Sequence, residues 1–186
     1  MNPKQESDRP VKSLVSGGIA IKEVSIHVVP SMVFAALTKP SKLNTWFTTG
    51  AKVDLRVGGR YSNFDKDAGR FLEIVPNKRL RFTWDNPDHA PGTIVEVVLT
   101  RNRGSTIVTL LHYGFSKKTD FEHYSSQASG WDWALYNLKA YLEKKTVVQY
   151  EEWLEREKLV FSKSVFGSNP RLRKVTAKDE AESHEL

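Results

Sequence analysis

A long amphipathic segment in the second half of the chain limits what the protein can fold into. Residues 119–145 read TDFEHYSSQASGWDWALYNLKAYLEKK. Apolar side chains recur in it at spacings of three and four residues, which places them on one stripe of an α-helix. The stripe consists of Phe121, Tyr124, Ala128, Trp131, Leu135, Leu138 and Leu142. A helix with this much aromatic surface needs a large apolar partner, so the rest of the chain must supply one.

Two starting points are compatible with this helix. Thr119 with Glu122, or Ser129 with Asp132, can each form a capping box. Glycine in a helix interior costs roughly 1 kcal/mol relative to alanine. Gly130 therefore marks either the start of the main helix or a place where backbone packs closely.

The residues before the helix predict an antiparallel sheet. Residues 19–29 alternate apolar and polar side chains and form the first predicted strand. Pro30 and Ser41 then open two short helices. Six further strands, separated by short glycine- and asparagine-containing turns, are predicted at residues 51–56, 60–64, 70–75, 79–84, 93–101 and 105–113. This order predicts an α+β fold in which a seven-stranded antiparallel sheet packs against the long C-terminal helix.

The two ends of the chain differ from this central domain, residues 19–145. Residues 1–18 are polar and contain Pro3, Pro10 and a pair of glycines, so we expect a flexible leader. Residues 146–162 have an apolar face and predict an additional amphipathic helix. That face consists of Val147, Tyr150, Leu154 and Phe161, with Trp153 beside it. Residues 163–186 are mostly charged or polar and predict a disordered tail.

Composition excludes several classes of protein. The chain has no cysteine, which excludes disulfides and thiolate metal sites. Its net charge is +6, but the 28 basic residues are interleaved with 22 acidic ones, which favours a solvated surface over a nucleic-acid partner. No apolar run approaches the ~20 residues that span a bilayer, and the N-terminus lacks the apolar region of a secretory signal. We therefore expect a cytoplasmic protein.

Six strings follow one another in an order that resembles a known family. They are ALTKPSKLNTW at 36–46, VGGRY at 57–61, GRFLEIVP at 69–76, RLRFTW at 79–84, STIVTLLHYGF at 105–115 and GWDWALYNLKAYL at 130–142. Together they resemble the proteins similar to the C-terminal domain of the activator of the heat-shock-ninety ATPase, within the START-like (helix-grip, SRPBCC) superfamily. The resemblance implies a seven-stranded antiparallel sheet that grips the C-terminal helix, with a cavity between them.

Two features depart from that family pattern. Lys39 stands where many relatives carry an acidic residue, and the extension after residue 145 lies outside the common domain. Relatives in the superfamily include polyketide cyclases, lipid carriers and the major birch pollen allergen. The fold alone therefore does not decide the activity.

Several side chains are candidates to line a cavity between sheet and helix. They are Trp46, Phe64, Phe71, Trp84, His112, Trp131 and Asn137. For the aromatic residues the competing interpretation is ordinary core packing. His112 is either a general base or a structural histidine at a strand end, and Asn137 either bonds a ligand carbonyl or faces water. Glu73 and Glu96 are expected to point outward into solvent.

The sequence contains no catalytic or metal-binding motif. GxGxxG, GxxxxGK[ST], HExxH and GxSxG are all missing, and the histidines show no metal-ligand spacing. We therefore expect no cofactor, no metal and a non-enzymatic binding module that holds a small lipid-like or aromatic ligand in an apolar cavity. The alternatives are a protein-interaction or co-chaperone-like regulator of a chaperone ATPase, and a cyclase-type or hydratase-type enzyme that uses the same cavity.

Two further expectations concern access and assembly. The loop at residues 85–92 and the short helices near Trp46 are expected to form the mobile mouth of the cavity. The apolar face at residues 146–161 is expected to pair with a second copy, the alternatives being packing onto its own domain or onto another protein.

Overall fold

One antiparallel sheet organises the larger part of the protein. The structure is a computed structural model and describes residues 14–16, 19–88, 90–115 and 121–166. The strands are β1 (Leu14–Ser16), β2 (Ile19–Ile26), β3 (Lys52–Val53), β4 (Arg60–Ser62), β5 (Ala68–Val75), β6 (Arg79–Trp84), β7 (Thr93–Asn102) and β8 (Ser105–Tyr113). The helices are α1 (Pro30–Thr38), α2 (Pro40–Trp46), α3 (Phe121–Lys144) and α4 (Tyr150–Phe166). The order across the sheet is β1-β2-β8-β7-β6-β5-β4-β3.

The predicted α+β fold, with its antiparallel sheet and long C-terminal helix, is confirmed. The seven predicted strands are β2 to β8, and β1 is an additional edge strand. β1 lies within residues 1–18, for which the sequence predicts a flexible leader, and Leu14–Ser16 form a strand there. These residues pair antiparallel with Ile19, Ala20 and Ile21 of β2. Leu14 and Val15 are apolar residues suited to a strand, although the segment around them is polar.

The core lies between the inner face of the sheet and one side of α3. Leucine and valine side chains alternate inward along β7 and β8, as period-two strands require. Buried core residues on these strands and on α3 are Val95, Val97, Leu99, Val108, Leu110, Trp131, Ala134, Leu135, Leu138 and Leu142. The described part of the predicted α3 stripe, Trp131, Leu135, Leu138 and Leu142, is therefore buried. The side chains of Phe121, Tyr124 and Ala128 lie outside the described side chains.

The start of α3 differs from both interpretations of Gly130. The helix already includes Phe121, so Gly130 lies in its interior, and a Cβ atom built on Gly130 meets no described atom within 4 Å. Gly130 is therefore neither a helix start nor a point of close packing in the described part of the chain.

Polar side chains of α3 fasten the helix to β2. Asp132 accepts a 2.7 Å hydrogen bond from the Nζ of Lys22, whose side chain is only 4% exposed. Lys139 Nζ donates to the carbonyl oxygen of Ser25. Because Lys22 faces inward beside the helix, its charge needs this carboxylate partner.

The third polar contact joins Glu143 to His27. The backbone N–H of His27 donates to Glu143 Oε1 at 2.8 Å, and His27 Nδ1 lies 3.0 Å from the same oxygen. Burial would raise the pKa of Glu143, but the two hydrogen bonds from His27 and the charge of Lys139 together hold that pKa below its usual value.

The chain forms two compact units that divide after Val147. α3 ends because Lys145 adopts a left-handed conformation with φ of 57°, and its N–H bonds the carbonyl of Tyr141 as in an αL cap. In the second unit, α4 begins at Tyr150 and reaches Phe166, so the predicted helix at 146–162 starts later and ends later. Residues 167–186 of the predicted tail lie outside the described residues. None of the described helices has the length and apolar character to cross a bilayer.

Candidate functional site

An apolar cavity opens between the inner face of the sheet, α2 and α3. The centre of a water molecule can reach about 90 Å³ of this cavity. Its empty volume is about 830 Å³ when the space open to solvent is included. Its aromatic lining is Trp46, Phe47, Tyr61, Phe71, Phe82, Trp84 and Trp131. Aliphatic side chains of β6, β7, β8 and α3 complete the wall, among them Leu80, Val97, Leu110 and Leu135. Such a wall binds apolar surface through burial rather than through charge.

Two short elements hold the aromatic side of the cavity in place. The indole Nε1 of Trp46, at the end of α2, donates a 3.0 Å hydrogen bond to the carbonyl of Ala36 in α1. The rings of Phe47 and Trp131 stack with centroids 6.4 Å apart, which joins α2 to α3. The ring of Trp131 in turn meets that of Trp84 edge-on at 5.0 Å. These contacts fix the rings relative to one another.

Four of the seven candidate residues meet at this cavity: Trp46, Phe71, Trp84 and Trp131. Phe64, His112 and Asn137 do not line it. Phe64 is 75% exposed, so its placement at the cavity is wrong. β4 ends at Ser62, and the ring of Phe64 instead lies over Gly50, where a Cβ atom would come within 2.5 Å of it.

His112 is a buried structural residue behind the cavity wall. Its Nδ1 accepts a 2.9 Å hydrogen bond from the indole Nε1 of Trp131, so the proton of the neutral ring lies on Nε2. Nε2 lies 2.8 Å from Thr93 Oγ1, and that hydroxyl donates to the carbonyl of Ala90. Burial lowers the pKa of His112 to about 4. A histidine with both nitrogens engaged and a low pKa suits a packing role better than that of a general base.

Asn137 fits neither interpretation that the sequence allowed. It is fully buried, and its Nδ2 donates a 2.6 Å hydrogen bond to the backbone carbonyl of Trp46. Neither a ligand carbonyl nor water is its partner in this contact. Asn137 instead ties α3 to the end of α2, where the peptide chain would otherwise leave a carbonyl unsatisfied.

Phe47, Tyr61 and Phe82 are aromatic lining residues that were not among the candidates from the sequence. Phe82 lies between Leu80 and Trp84 on β6, and all three line the cavity, so alternation in the string RLRFTW could have indicated it. Tyr61 donates its hydroxyl to the carbonyl of Thr83 at 2.7 Å. Burial raises the pKa of Tyr61, with Asp67 and Asp85 adding to the effect, so its hydroxyl stays protonated.

The described residues of the predicted mouth loop, 85–88 and 90–92, do not line the cavity. The loop is held instead by its own side chains, since Asp85 Oδ1 accepts from the N–H of Gly92 and Asn86 Nδ2 donates to Asp67 Oδ1. Asn86 and Ala90 are buried. We place the mouth of the cavity between the end of α2 and Asn63, the residue after β4, because the polar lining residues Thr48, Lys52, Ser62 and Asn63 gather there.

The acidic residues on the strands lie away from the cavity. Glu73 and Glu96 both approach Arg79, at 3.5 Å and 3.3 Å. They share the outer face of the sheet, as expected from the alternation of their strands. Among the described residues, no group of three or more histidine, aspartate or glutamate side chains is placed to hold a metal ion.

Comparisons with known proteins agree with this geometry. The model of a family described as Activator of Hsp90 ATPase homolog 1-like protein matches residues 27–143. No curated protein sequence matches the chain significantly.

Solved structures with the same fold come from several organisms. CalU16 from Micromonospora echinospora is 25% identical, with a TM-score of 0.59 over 73% of this chain and 84% of that one. The Aha1 dimer from Colwellia psychrerythraea is 22% identical, with a TM-score of 0.61 over 69% of this chain and 98% of that one. PFC0360w, described as an Hsp90 activator from Plasmodium falciparum, is 24% identical, with a TM-score of 0.56 over 62% of this chain and 88% of that one.

Proposed function

Because the chain belongs to the family of Activator of Hsp90 ATPase homolog 1-like proteins, whose model matches residues 27–143, we propose a function for its cavity. The protein is a non-enzymatic binding module that holds one small lipid-like or aromatic molecule between the sheet and α3. The observation that carries this proposal is the wall of the cavity, where seven aromatic side chains converge.

The chemistry of the wall favours an apolar guest. The tryptophans and phenylalanines offer flat apolar surface, and stacking against such rings adds to the burial of area. The polar lining residues Thr48, Lys52, Ser62 and Asn63 gather at the mouth, between the end of α2 and the residue after β4. The apolar part of a bound molecule therefore packs against the cavity wall, and any strongly solvated group stays at the mouth.

Native mass spectrometry of the protein purified from its own host tests this proposal. The expected result is a retained molecule that is released on denaturation. Ala134→Leu places extra carbon atoms in the cavity wall and should abolish retention, since Ala134 lines the cavity. Ala140→Leu is the matched control, because Ala140 is buried on the same helix but does not line the cavity. A parent protein without a retained molecule, and without saturable binding of any apolar probe, would overturn the proposal.

Regulation of a chaperone ATPase is the second candidate, and the family description favours it. In this case the protein binds the Hsp90 of its host and raises the rate of ATP hydrolysis. Steady-state ATPase assays of that Hsp90 with and without the protein decide the matter. An unchanged rate at saturating protein, together with no co-sedimentation, would exclude this role.

We further propose that the C-terminal helix serves self-association. α4 carries Tyr150 and Trp153, whose rings stack at 6.0 Å, and Glu152 and Arg156 of the same helix form an ion pair. Sedimentation of the full chain beside a version ending at Lys145 is the test. A full chain that is monomeric at high concentration would remove the dimer, and unfolding of the shortened chain would then indicate packing within one molecule.

A further inference from the structure

Trp84 carries a buried hydrogen-bond donor without an acceptor. The residue is only 7% exposed and lines the cavity. Its indole Nε1 has no hydrogen-bond partner among the residues that the structure describes. A buried donor without an acceptor is unfavourable, because it has given up its bond to water and gained nothing in return.

The other two indoles at the cavity show what a satisfied donor looks like. Trp46 Nε1 donates to the carbonyl of Ala36 at 3.0 Å, and Trp131 Nε1 donates to His112 Nδ1 at 2.9 Å. Both bonds lead away from the cavity into the protein. Trp84 therefore differs from its two neighbours in having its donor still available.

Neither His112 nor Trp131, two rings that contact Trp84, offers a good acceptor to its N–H. The ring of His112 lies 6.3 Å from that of Trp84, but its Nδ1 already accepts from Trp131 and its Nε2 carries a proton directed at Thr93. The ring of Trp131 is close, but an aromatic face is a much weaker acceptor than an oxygen atom. Because Trp84 lines the cavity, a molecule held there can supply the missing acceptor.

We propose that the bound molecule presents a neutral hydrogen-bond acceptor, such as a ketone or lactone carbonyl oxygen, to the Nε1–H of Trp84. This inference rests on the proposed function, since it needs an occupied cavity. Within the described lining, Lys52 is the only cationic side chain, and it is exposed at the mouth. An ionised oxygen beside Trp84 would lose its hydration without gaining a counter-ion, so the acceptor is uncharged.

A pair of probe molecules tests the role of this donor. 1-Indanone and indane have the same bicyclic ring, and only the ketone carries an acceptor. Both are titrated by calorimetry into the parent protein and into Trp84→Phe, which keeps an aromatic ring but has no N–H. We expect the substitution to weaken binding of the ketone about 5- to 10-fold, while binding of indane changes less than about twofold. Trp153→Phe is the control, because Trp153 does not line the cavity, and it should alter neither affinity.

The outcomes separate this inference from the proposed function. If Trp84→Phe weakens both probes equally, the donor is not used and the inference fails, although the cavity still binds. If neither probe binds the parent and no host molecule is retained, the proposed function fails and the inference falls with it.

A second measurement covers a variant that does not fold. In the ¹⁵N-labelled parent protein, the indole N–H resonance of Trp84 should move downfield with 1-indanone and not with indane. Equal movement with both probes would also overturn the inference.

Discussion

At the scale of single residues, burial in the core disfavours the protonated form of His112. The folded protein lowers its pKa from the usual 6.5 to about 4 by burial. At pH values between these two, His112 is protonated in the unfolded chain and neutral in the folded protein. The free energy of unfolding therefore falls as the pH falls from about 6.5 towards 4, and it is unaffected by this group above that range.

The first prediction follows from this difference. Lowering the pH from 7 to 5 should remove about 2 kcal/mol of stability through His112 alone. Urea denaturation of the parent and of His112→Asn at both values of pH measures it, and the variant should lose less by that amount. Leu135→Ala is the control, because it is destabilised but keeps His112 and so keeps the parental pH dependence. If the parent and His112→Asn lose the same free energy of unfolding between pH 7 and pH 5, His112 is not the group responsible.

His112 and Asn137 also show which contacts cannot be predicted from the sequence. Both could be chosen from the sequence as polar residues among apolar ones. Their partners could not, because Asn137 bonds a carbonyl 91 positions away and His112 bonds an indole 19 positions away on another element. The prediction that Phe64 lines the cavity was wrong for a related reason. The alternation of Phe64 with its neighbours did not reveal that β4 ends at Ser62.

At the scale of elements, the inner stripe of α3 carries the attachment of the helix to the sheet. Leu135 is buried at 3% exposure and lies in the middle of this stripe. Leu135→Ala should lower the free energy of unfolding by about 2–5 kcal/mol, because it removes a packed side chain from the core. Tyr136→Ala is the control on the next residue of the helix, since Tyr136 is 44% exposed. A loss below about 0.5 kcal/mol for Leu135→Ala would contradict the assigned stripe.

The Lys22–Asp132 pair supplies the second prediction about α3. Asp132→Ala leaves the Lys22 ammonium buried without its carboxylate and should cost up to about 3 kcal/mol, less than for a fully enclosed pair because Asp132 is 33% exposed. The double variant Lys22→Met with Asp132→Ala should recover part of that loss, since it removes the unpaired charge. Chemical denaturation of the parent, both single variants and the double variant measures the coupling. Strictly additive losses would mean that the pair contributes no coupling energy.

The elements also divide into what spacing can and cannot reveal. The spacing of apolar residues gave the direction of the buried stripe of α3, because it fixes the angle of each residue around the helix. It did not reveal that Asp132 and Lys139 would meet β2, or that Glu143 would meet His27 just after it. That contact depends on how far the sheet extends beside the helix, which no local pattern contains.

At the scale of the whole molecule, access to the cavity depends on the segment that joins α2 to β4. β3 within it has only two residues, while β8 at the centre of the sheet pairs along its length with both β2 and β7. We expect fast hydrogen exchange at residues 47–53 and slow exchange at residues 106–111. The amides of Asp88, Ala90 and Gly92 should be intermediate, because each donates a hydrogen bond within its loop.

Exchange measured by mass spectrometry decides this point. Addition of an apolar ligand should slow exchange at residues 47–53 and leave residues 106–111 unchanged. Uniformly slow exchange without ligand would indicate a closed core and argue against a carrier. The sequence predicts a mouth formed by the short helices near Trp46 and the loop at residues 85–92, because that loop is long and contains two prolines. It could not show that Asn86 and Asp67 would hold the loop closed from within.

The short strand β1 has a consequence for how the protein behaves in concentrated solution. It covers Ile19, Ala20 and Ile21, the apolar start of β2, whereas the uncovered remainder carries the exposed Glu23. Charged residues discourage one sheet from adding to another, and bare apolar edges invite it. A chain that begins at Ile19 should therefore aggregate sooner than the full chain on gentle warming, with light scattering as the measure, while circular dichroism shows the same starting fold. Equal onset of scattering in the two chains would mean that β1 does not protect this edge.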